Sequence, residues 1–301
     1  VHVFGDSMLD EWIWGEATRI SPEAPVPVLR FTGRKTAPGG AANVAMNLLS
    51  LGARVEISGA IGDDEAGRDL KATLENAGAK TQFATDFSRP TTLKTRVVAG
   101  AQQMVRIDRE NDAPSQIRFL PEFAEVSALC LSDYDKGLAA SGAFERAIEA
   151  AKNAQILVTA GPKPANLARF RGADFVSLNL KEAREASGNS LETDAQIEEN
   201  GALLRAKFEF GALCITRGGA GVSLFQSGET PQHFAAHRIE VFDVAGAGDT
   251  FLSAATLALA AGQSAPIAAQ IGNLAAACSV RHVGVVAVSP TEMMELATGE
   301  F

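Results

Sequence analysis

Apolar side chains along this chain fall into short strand-like runs that alternate with stretches of helical period. Residues 41–51 read as a helix ended by Gly52, 55–61 as a strand ended by Gly62, and 65–77 as an amphipathic helix that stops at Gly78. A helical pattern over 143–152 precedes a strand at 156–160, 175–178 is a further strand, and 213–216 runs into Arg217-Gly-Gly-Ala-Gly221. The runs 251–261 and 267–280 are helical in composition. Val1-His-Val-Phe4 already lies inside an apparent strand, so residues are expected before it. The alternation predicts an α/β fold: a central, mostly parallel sheet flanked by helices on both faces, with ligands beyond the carboxyl ends of the strands.

Two segments break the rhythm. Residues 11–36 contain Pro22, Pro25 and Pro27 with β-type runs such as 26–31 and no helix; 91–108 has strand-like halves, 93–98 and 103–107, joined through Ala99-Gly100-Ala101. Together they predict a small β-sheet lid, formed by 11–37 and 91–108 and inserted into an α/β body made of 1–10, 38–90 and 109–301. Such a layer can close over a substrate and exclude water. The alternative is a pair of hairpins that serves only a subunit contact.

Composition narrows the function classes. With 301 residues and 46% hydrophobic content the chain can bury a full core. A formal charge of -9 and the lack of any Lys/Arg block argue against a nucleic-acid partner, so an anionic ligand must be met by local groups. Cys130, Cys214 and Cys278 are odd in number, widely spaced and in apolar contexts, as expected of buried thiols in a reducing cytoplasm. No apolar run long enough for a membrane span and no secretory leader is present, so no membrane partner is expected. The histidines at 2, 233, 237 and 282 share no metal-ligand spacing.

The chemistry concentrates in Asp243-Val-Ala-Gly-Ala-Gly-Asp-Thr-Phe251, a glycine-rich turn, a carboxylate and a helix start within a few residues. Gly246 and Gly248 allow a sharp turn, and the backbone N–H groups of Gly246, Ala247 and Gly248 can face an anion at a helix N-terminus. Phosphates repel a carboxylate unless it has a task there, and the economical task for Asp249 is general base toward an attacking hydroxyl. The plainer alternative is a turn with a helix-start carboxylate and no ligand.

Pro38-Gly-Gly-Ala-Ala-Asn43, Asn179-Leu-Lys-Glu182 and Ala245-Gly-Ala-Gly-Asp-Thr-Phe251 resemble, in that order, the three signatures of the ribokinase-like (PfkB) carbohydrate kinases. The resemblance spans nearly the whole chain. Within that family, Arg19-Ile-Ser-Pro-Glu-Ala-Pro-Val-Pro27, Gln102-Gln-Met-Val-Arg-Ile-Asp108 and Leu131-Ser-Asp-Tyr-Asp-Lys-Gly137 resemble the kinases of D-glycero-β-D-manno-heptose 7-phosphate, which serve ADP-heptose and lipopolysaccharide synthesis in Gram-negative bacteria. The resemblance implies transfer of the γ-phosphoryl group of ATP, with Mg²⁺, to O1 of that sugar. It also implies a cytoplasmic homodimer joined through the lid.

Residue by residue, the resemblance implies sugar binding by Asp10, Gly39, Gly40 and Asn43, with Asp6 as a second acid that could equally accept turn N–H groups. Asn179 and Glu182 match the signature associated with Mg²⁺, its waters and the phosphates; Leu178 stands where relatives often carry proline. Thr216, Gly218, Gly219 and Gly221 resemble the ATP-phosphate loop, Asn273 a position near adenine, and Asp243 with 284–289 a monovalent-cation site for K⁺. A sugar phosphate needs cations: Lys94 and Arg96 share one strand face by the two-residue period, Arg106 lies on the second lid strand, and Lys136 follows Asp133, which is suited to a hydroxyl. A kinase of another sugar or sugar phosphate, and a catalytically silent sugar- or nucleotide-binding regulator, stay open. The family also occurs fused to a nucleotidyltransferase; no such domain fits after Phe301, so the chain is expected to be the kinase alone or a fragment.

Overall fold

A computed structural model describes residues 1–115, 121–123 and 125–299. Its strands, in chain order, are β1 (His2–Gly5), β2 (Ser7–Ile20), β3 (Pro27–Gly40), β4 (Glu56–Ile61), β5 (Lys80–Thr85), β6 (Thr92–Ala99) and β7 (Gln102–Arg109). They continue with β8 (Ala128–Ser132), β9 (Leu157–Gly161), β10 (Phe175–Asn179), β11 (Ala212–Thr216), β12 (Val222–Gln226) and β13 (Gln232–Phe234). The helices are α1 (Ala41–Ser50), α2 (Glu65–Asn76), α3 (Ala143–Asn153), α4 (Leu180–Ser187), α5 (Asp194–Lys207), α6 (Ala247–Ala260), α7 (Ala265–Ser279) and α8 (Pro290–Thr298).

Nine strands form the large sheet in the order β13-β12-β11-β10-β9-β8-β1-β4-β5. From β11 to β5 every neighbouring pair is parallel, and β12 and β13 add an antiparallel edge. The chain leaves β1 first toward β4 and β5, then returns to β8 on the other side and works outward. The direction of travel reverses beside β1, the switch point at which sheets of this kind place their ligand crevice.

Alternation along the buried strands sends successive side chains to opposite faces. Phe4, Leu129 and Leu131 pack with Phe144 of α3, Phe170, and Ile197 and Leu204 of α5. Val3 and Cys130 pack instead with Leu48 of α1 and Leu70 and Leu74 of α2. Under β10 to β12, Phe175, Cys214 and Leu224 meet Phe251 and Ala255 of α6 and Ala268 and Ala269 of α7. The three thiols are buried and unpaired.

The second sheet, ordered β3-β2-β6-β7, is built from the two segments that break the helical rhythm. Its long strands begin at Ser7 and end at Gly40, so it grows directly out of β1 and into α1. Polar β5 at the sheet edge and α5, interrupted by Gly201, escape a reading based on apolar period; Gly201 lies beneath the Phe225 ring, which a larger side chain would displace. Among the described residues no helix is long and apolar enough to cross a membrane.

Phe144 is fully buried, edge-on to Phe4 at 5.6 Å and tilted on Phe170 at 4.9 Å. Phe144→Ala is expected to cost about 3–5 kcal/mol of unfolding free energy in urea denaturation. A loss below about 1 kcal/mol would mean that this cluster refills and does not anchor the α3 face.

Candidate active site

The signature glycines belong to a helix start. Helix α6 begins at Ala247, four residues earlier than composition suggests, with Gly246 as its N-cap at φ 78°. A Cβ at Gly246 would stand 2.9 Å from Asn43 Nδ2, so glycine lets the first turns of α6 and α1 meet. Asp249, the third residue of α6, is 8% exposed. Asn43 Nδ2 donates to its Oδ2 at 2.8 Å and Tyr134 Oη donates to its Oδ1 at 2.8 Å.

Asn43 is itself held. Asn47, one turn further along α1, donates from Nδ2 to Asn43 Oδ1 at 3.1 Å and to the Asn43 carbonyl at 3.0 Å. The Val288 N–H donates to Asn47 Oδ1 at 3.3 Å. Burial pushes the Asp249 carboxyl up to about 6, against the Asn43 and Tyr134 hydrogen bonds and the Lys163 charge, while the nearby Asp10 charge pushes the same way as burial. Tyr134, buried among carboxylates, is held well above its ordinary value and stays a neutral donor.

Two buried acids staple the loops that carry Tyr134 and Lys163. Asp6, just after β1, accepts from the main-chain N–H groups of Tyr134 at 2.9 Å and Lys136 at 3.1 Å, which is the turn-holding reading of this residue. Burial, with the Asp133 charge beside it, pushes the Asp6 carboxyl up to about 6. Asp133, after β8, is 1% exposed and accepts from Asp135 N at 2.9 Å, Lys163 N at 2.9 Å and Asn166 Nδ2 at 3.0 Å. Its carboxylate ties the β8 loop to the β9 loop while lining the chamber next to Tyr134. Lys136 Nζ is paired with Glu110 at 3.1 Å and Asp112 at 2.9 Å.

Asn179, at the end of β10, caps α4: its Oδ1 accepts from Glu182 N at 2.9 Å and its own N–H donates to Glu182 Oε2 at 2.9 Å. The other Glu182 oxygen accepts from Lys163 Nζ at 2.8 Å, and the same ammonium lies 4.8 Å from the Tyr134 ring centroid. These groups line a chamber of 170 Å³ with Asp249, Gly246, Gly248 and Thr216. Asn179, Thr216 and Gly248 also border a less polar cavity of 620 Å³, lined further by Gly218, Gly219, Gly221, Phe251 and Asn273. Asn273 Nδ2 donates to the Ala235 carbonyl at 2.8 Å, in the segment that lies against Gly221. Asp243 accepts from Ala245 N at 3.0 Å and Gly284 N at 2.9 Å, joining two loops behind this cavity.

The small sheet brings the remaining residues to one face. Asp10 and Trp12 of β2 are in register with Lys94 and Arg96 of β6, which pair in turn with Asp108 and Arg106 of β7. Arg96 Nη1 donates to Asp10 Oδ1 at 2.6 Å, and its guanidinium stands 5.0 Å from the Trp12 ring centroid. Arg106 donates to both oxygens of Asp108, at 2.8 and 2.9 Å. Lys94 has no ion-pair partner among the described residues. Gly39 lies against the Asp10 carboxylate where a Cβ would collide, and Gly40, at φ 59°, passes over the Asp6 carbonyl into α1.

A family model described as pfkB family carbohydrate kinase matches residues 2–292. The chain belongs to the pfkB family of carbohydrate kinases. It is 41% identical to the bifunctional protein HldE of Caulobacter vibrioides over 99% of this chain and 63% of that protein. With the protein of the same name from Citrobacter koseri it shares 40% over the same fractions. It therefore spans 63% of the length of these curated relatives. Escherichia coli phosphofructokinase-2, solved in complex with potassium, superimposes with a TM-score of 0.79 at 18% identity over 99% of this chain and 98% of that one. Ribokinase of Thermotoga maritima does so with a TM-score of 0.74 at 21% identity, over 99% and 98%. At those identities the likeness establishes the ribokinase-like fold of this pfkB chain.

Three residues of the pfkB site escape motif reading. Tyr134 lies inside Leu131-Ser-Asp-Tyr-Asp-Lys-Gly137, where only the charged neighbours draw attention; Lys163 stands alone between Pro162 and Pro164; Asn47 repeats Asn43 at helical spacing. Tyr134→Phe removes a donor that stabilises the Asp249 carboxylate, so the proton binds more tightly and the midpoint rises above about 6. Titration of carboxyl-¹³C aspartate by NMR is the measurement. An Asp249 midpoint that stays put in the variant would show that the hydroxyl contributes nothing to its charge state.

Proposed function

We propose that the chain transfers the γ-phosphoryl group of ATP to O1 of D-glycero-β-D-manno-heptose 7-phosphate, giving the 1,7-bisphosphate on the ADP-heptose route to lipopolysaccharide, in the cytoplasm. The observation that carries this reading is the Asp249 carboxylate, buried, held by two neutral donors, and lining the polar chamber beside Gly248, which also borders the glycine-lined cavity. The sugar assignment draws on about 40% identity to HldE across 99% of the chain. It draws also on the heptose-kinase-like segments, which fall on β7, on the Tyr134 loop and at the tip of β2 and β3.

In the proposed reaction Asp249 takes the proton of the sugar hydroxyl as its oxygen attacks, while the main-chain N–H groups at Gly246 and Gly248 are assigned to the transferred group; the Ala247 N–H, expected beside them, donates instead to the Val244 carbonyl at 3.3 Å. Asn43 and Tyr134 keep the carboxylate aimed. Thr216, Gly218, Gly219, Gly221, Asn179 and Asn273 line the space assigned to the nucleotide. Among the described residues no cluster of three or more acidic, His or Cys side chains is gathered for a metal. Glu182 on the chamber rim accordingly suits a hydrated Mg²⁺ that keeps most of its ligands from water and phosphate. Such an ion, when bound, neutralises phosphate charge. Asp243 and the Gly284 loop are assigned to K⁺.

Of Lys94, Arg96 and Arg106, we assign Lys94 to the distal phosphate, since Arg96 is engaged by Asp10 and Arg106 by Asp108. We assign the sheet to a lid whose other face carries Ile13, Val97, Val105 and Ile107, the last two 49% and 56% exposed. A homodimer through that face is expected, and sedimentation of the purified chain measures it.

Asp249→Asn is expected to lower kcat by on the order of 10²- to 10⁴-fold with ATP binding kept. The unmutated enzyme loses activity as pH falls through about 6, where the base becomes protonated. Near-normal turnover of a folded Asp249→Asn variant would remove Asp249 from the chemistry. Heptose 7-phosphate is expected to react far faster than heptose, and Lys94→Ala to narrow that gap. Equal kcat/KM for the two sugars in ADP-release assays would favour a kinase of an unphosphorylated sugar.

A further inference from the structure

The chamber beside Asp249 is lined by carboxylates: Asp133, Glu182 and Asp249. In a chain of charge -9, a triphosphate entering there meets repulsion on every side unless a cation answers it. Among the described residues lining that chamber, Lys163 is the only cation. Its backbone is fixed: it follows the end of β9, sits between Pro162 and Pro164 in extended conformation, and donates its N–H to Asp133 Oδ2 at 2.9 Å. Its side chain is 35% exposed and reaches across the Tyr134 ring to Glu182 Oε1 at 2.8 Å. The ammonium therefore shares the chamber with Asp249, and Asn179, Thr216 and Gly248 of the same chamber also border the 620 Å³ cavity.

We propose that Lys163 is a catalytic residue that exchanges Glu182 for the phosphoryl group in transit. This rests on the kinase reading above and adds the charge that reading lacks. In the step, the sugar oxygen forms a bond to the γ-phosphorus, and the bond from that phosphorus to the β,γ-bridging oxygen breaks with its electron pair left on ADP. The hydroxyl proton passes to Asp249. Negative charge spreads over the three equatorial oxygens, and a lysine serves as the point charge toward them while the α6 N–H groups face the same group from the helix side. With no ligand bound, the pair with Glu182 keeps both the ammonium and the carboxylate from standing unpaired on the rim.

The test compares ADP with the non-hydrolysable β,γ-imido analogue of ATP, each with Mg²⁺ and no sugar, by calorimetry on the full chain and on Lys163→Met and Lys163→Arg. Lys163→Met is expected to weaken the imido analogue about 10- to 100-fold while leaving ADP within about 3-fold, because only the former carries the γ-phosphate. Its kcat should fall by on the order of 10²- to 10³-fold. Lys163→Arg should restore the preference for the imido analogue. A lysine that merely holds Glu182 would change both nucleotides equally, and that result, like no change in either, overturns the assignment. If Lys163→Met fails to bind ADP at all, Lys163→Arg decides: a kept preference supports the role and a lost one overturns it. An unmutated chain that transfers phosphate to sugar alongside an unaffected Lys163→Met sinks this assignment alone, whereas an unmutated chain that binds neither nucleotide sinks the kinase reading as well.

Discussion

The pair of hydrogen bonds that Asn43 and Tyr134 donate to the Asp249 carboxylate joins three parts of the chain that are far apart in sequence. An ionisable group this deeply buried is tolerated only when its oxygens are satisfied, and removing either donor would leave a lone pair without a partner. The demand propagates outward. Asn43 is aimed by Asn47, which is aimed by the Val288 main chain, while Tyr134 is placed by the Asp6 staple. The first turns of α1 and α6 must therefore meet closely, and Gly246 is the residue that permits it.

That convergence is possible because of how the large sheet is wound. The chain moves outward from β1 in both directions, so the loops after β1, β8, β9, β10 and β11 all open on the same edge. Asp6, Tyr134 and Lys163 lie just after β1, β8 and β9, and Asn179 and Thr216 are the last residues of β10 and β11. A parallel sheet buried on both faces gives these loops a rigid base, and the hydrophobic clusters on its two sides fix the spacing between strand ends and helix starts.

Electrostatics shape the remainder of the site. Carboxylates outnumber cations around the chamber, and apart from Lys94 the candidate ligand-binding cations are held in pairs: Lys163 with Glu182, Arg96 with Asp10, Arg106 with Asp108 and Lys136 with Glu110 and Asp112. Pairing of this kind stores cations next to an anion site without leaving them unsatisfied in the ligand-free protein.

The sequence by itself determined the α/β class, the small β-layer and the residues that signal a carbohydrate kinase, because apolar period, glycine position and three spaced motifs are local properties of the chain. The glycine-rich turn singled out Asp249, and the resemblance to the family singled out Asn179, Glu182 and the Gly218–Gly221 turn. Only the tertiary structure decided what these groups do to one another. That Asp133 holds two loops, that Glu182 caps α4 while pairing with Lys163, and that Tyr134 reaches Asp249 are facts of side-chain geometry between segments up to 115 residues apart. No local pattern encodes them, since a tyrosine or a lysine in a loop looks the same whether it faces solvent or a buried carboxylate; burial and the winding of the sheet make the difference.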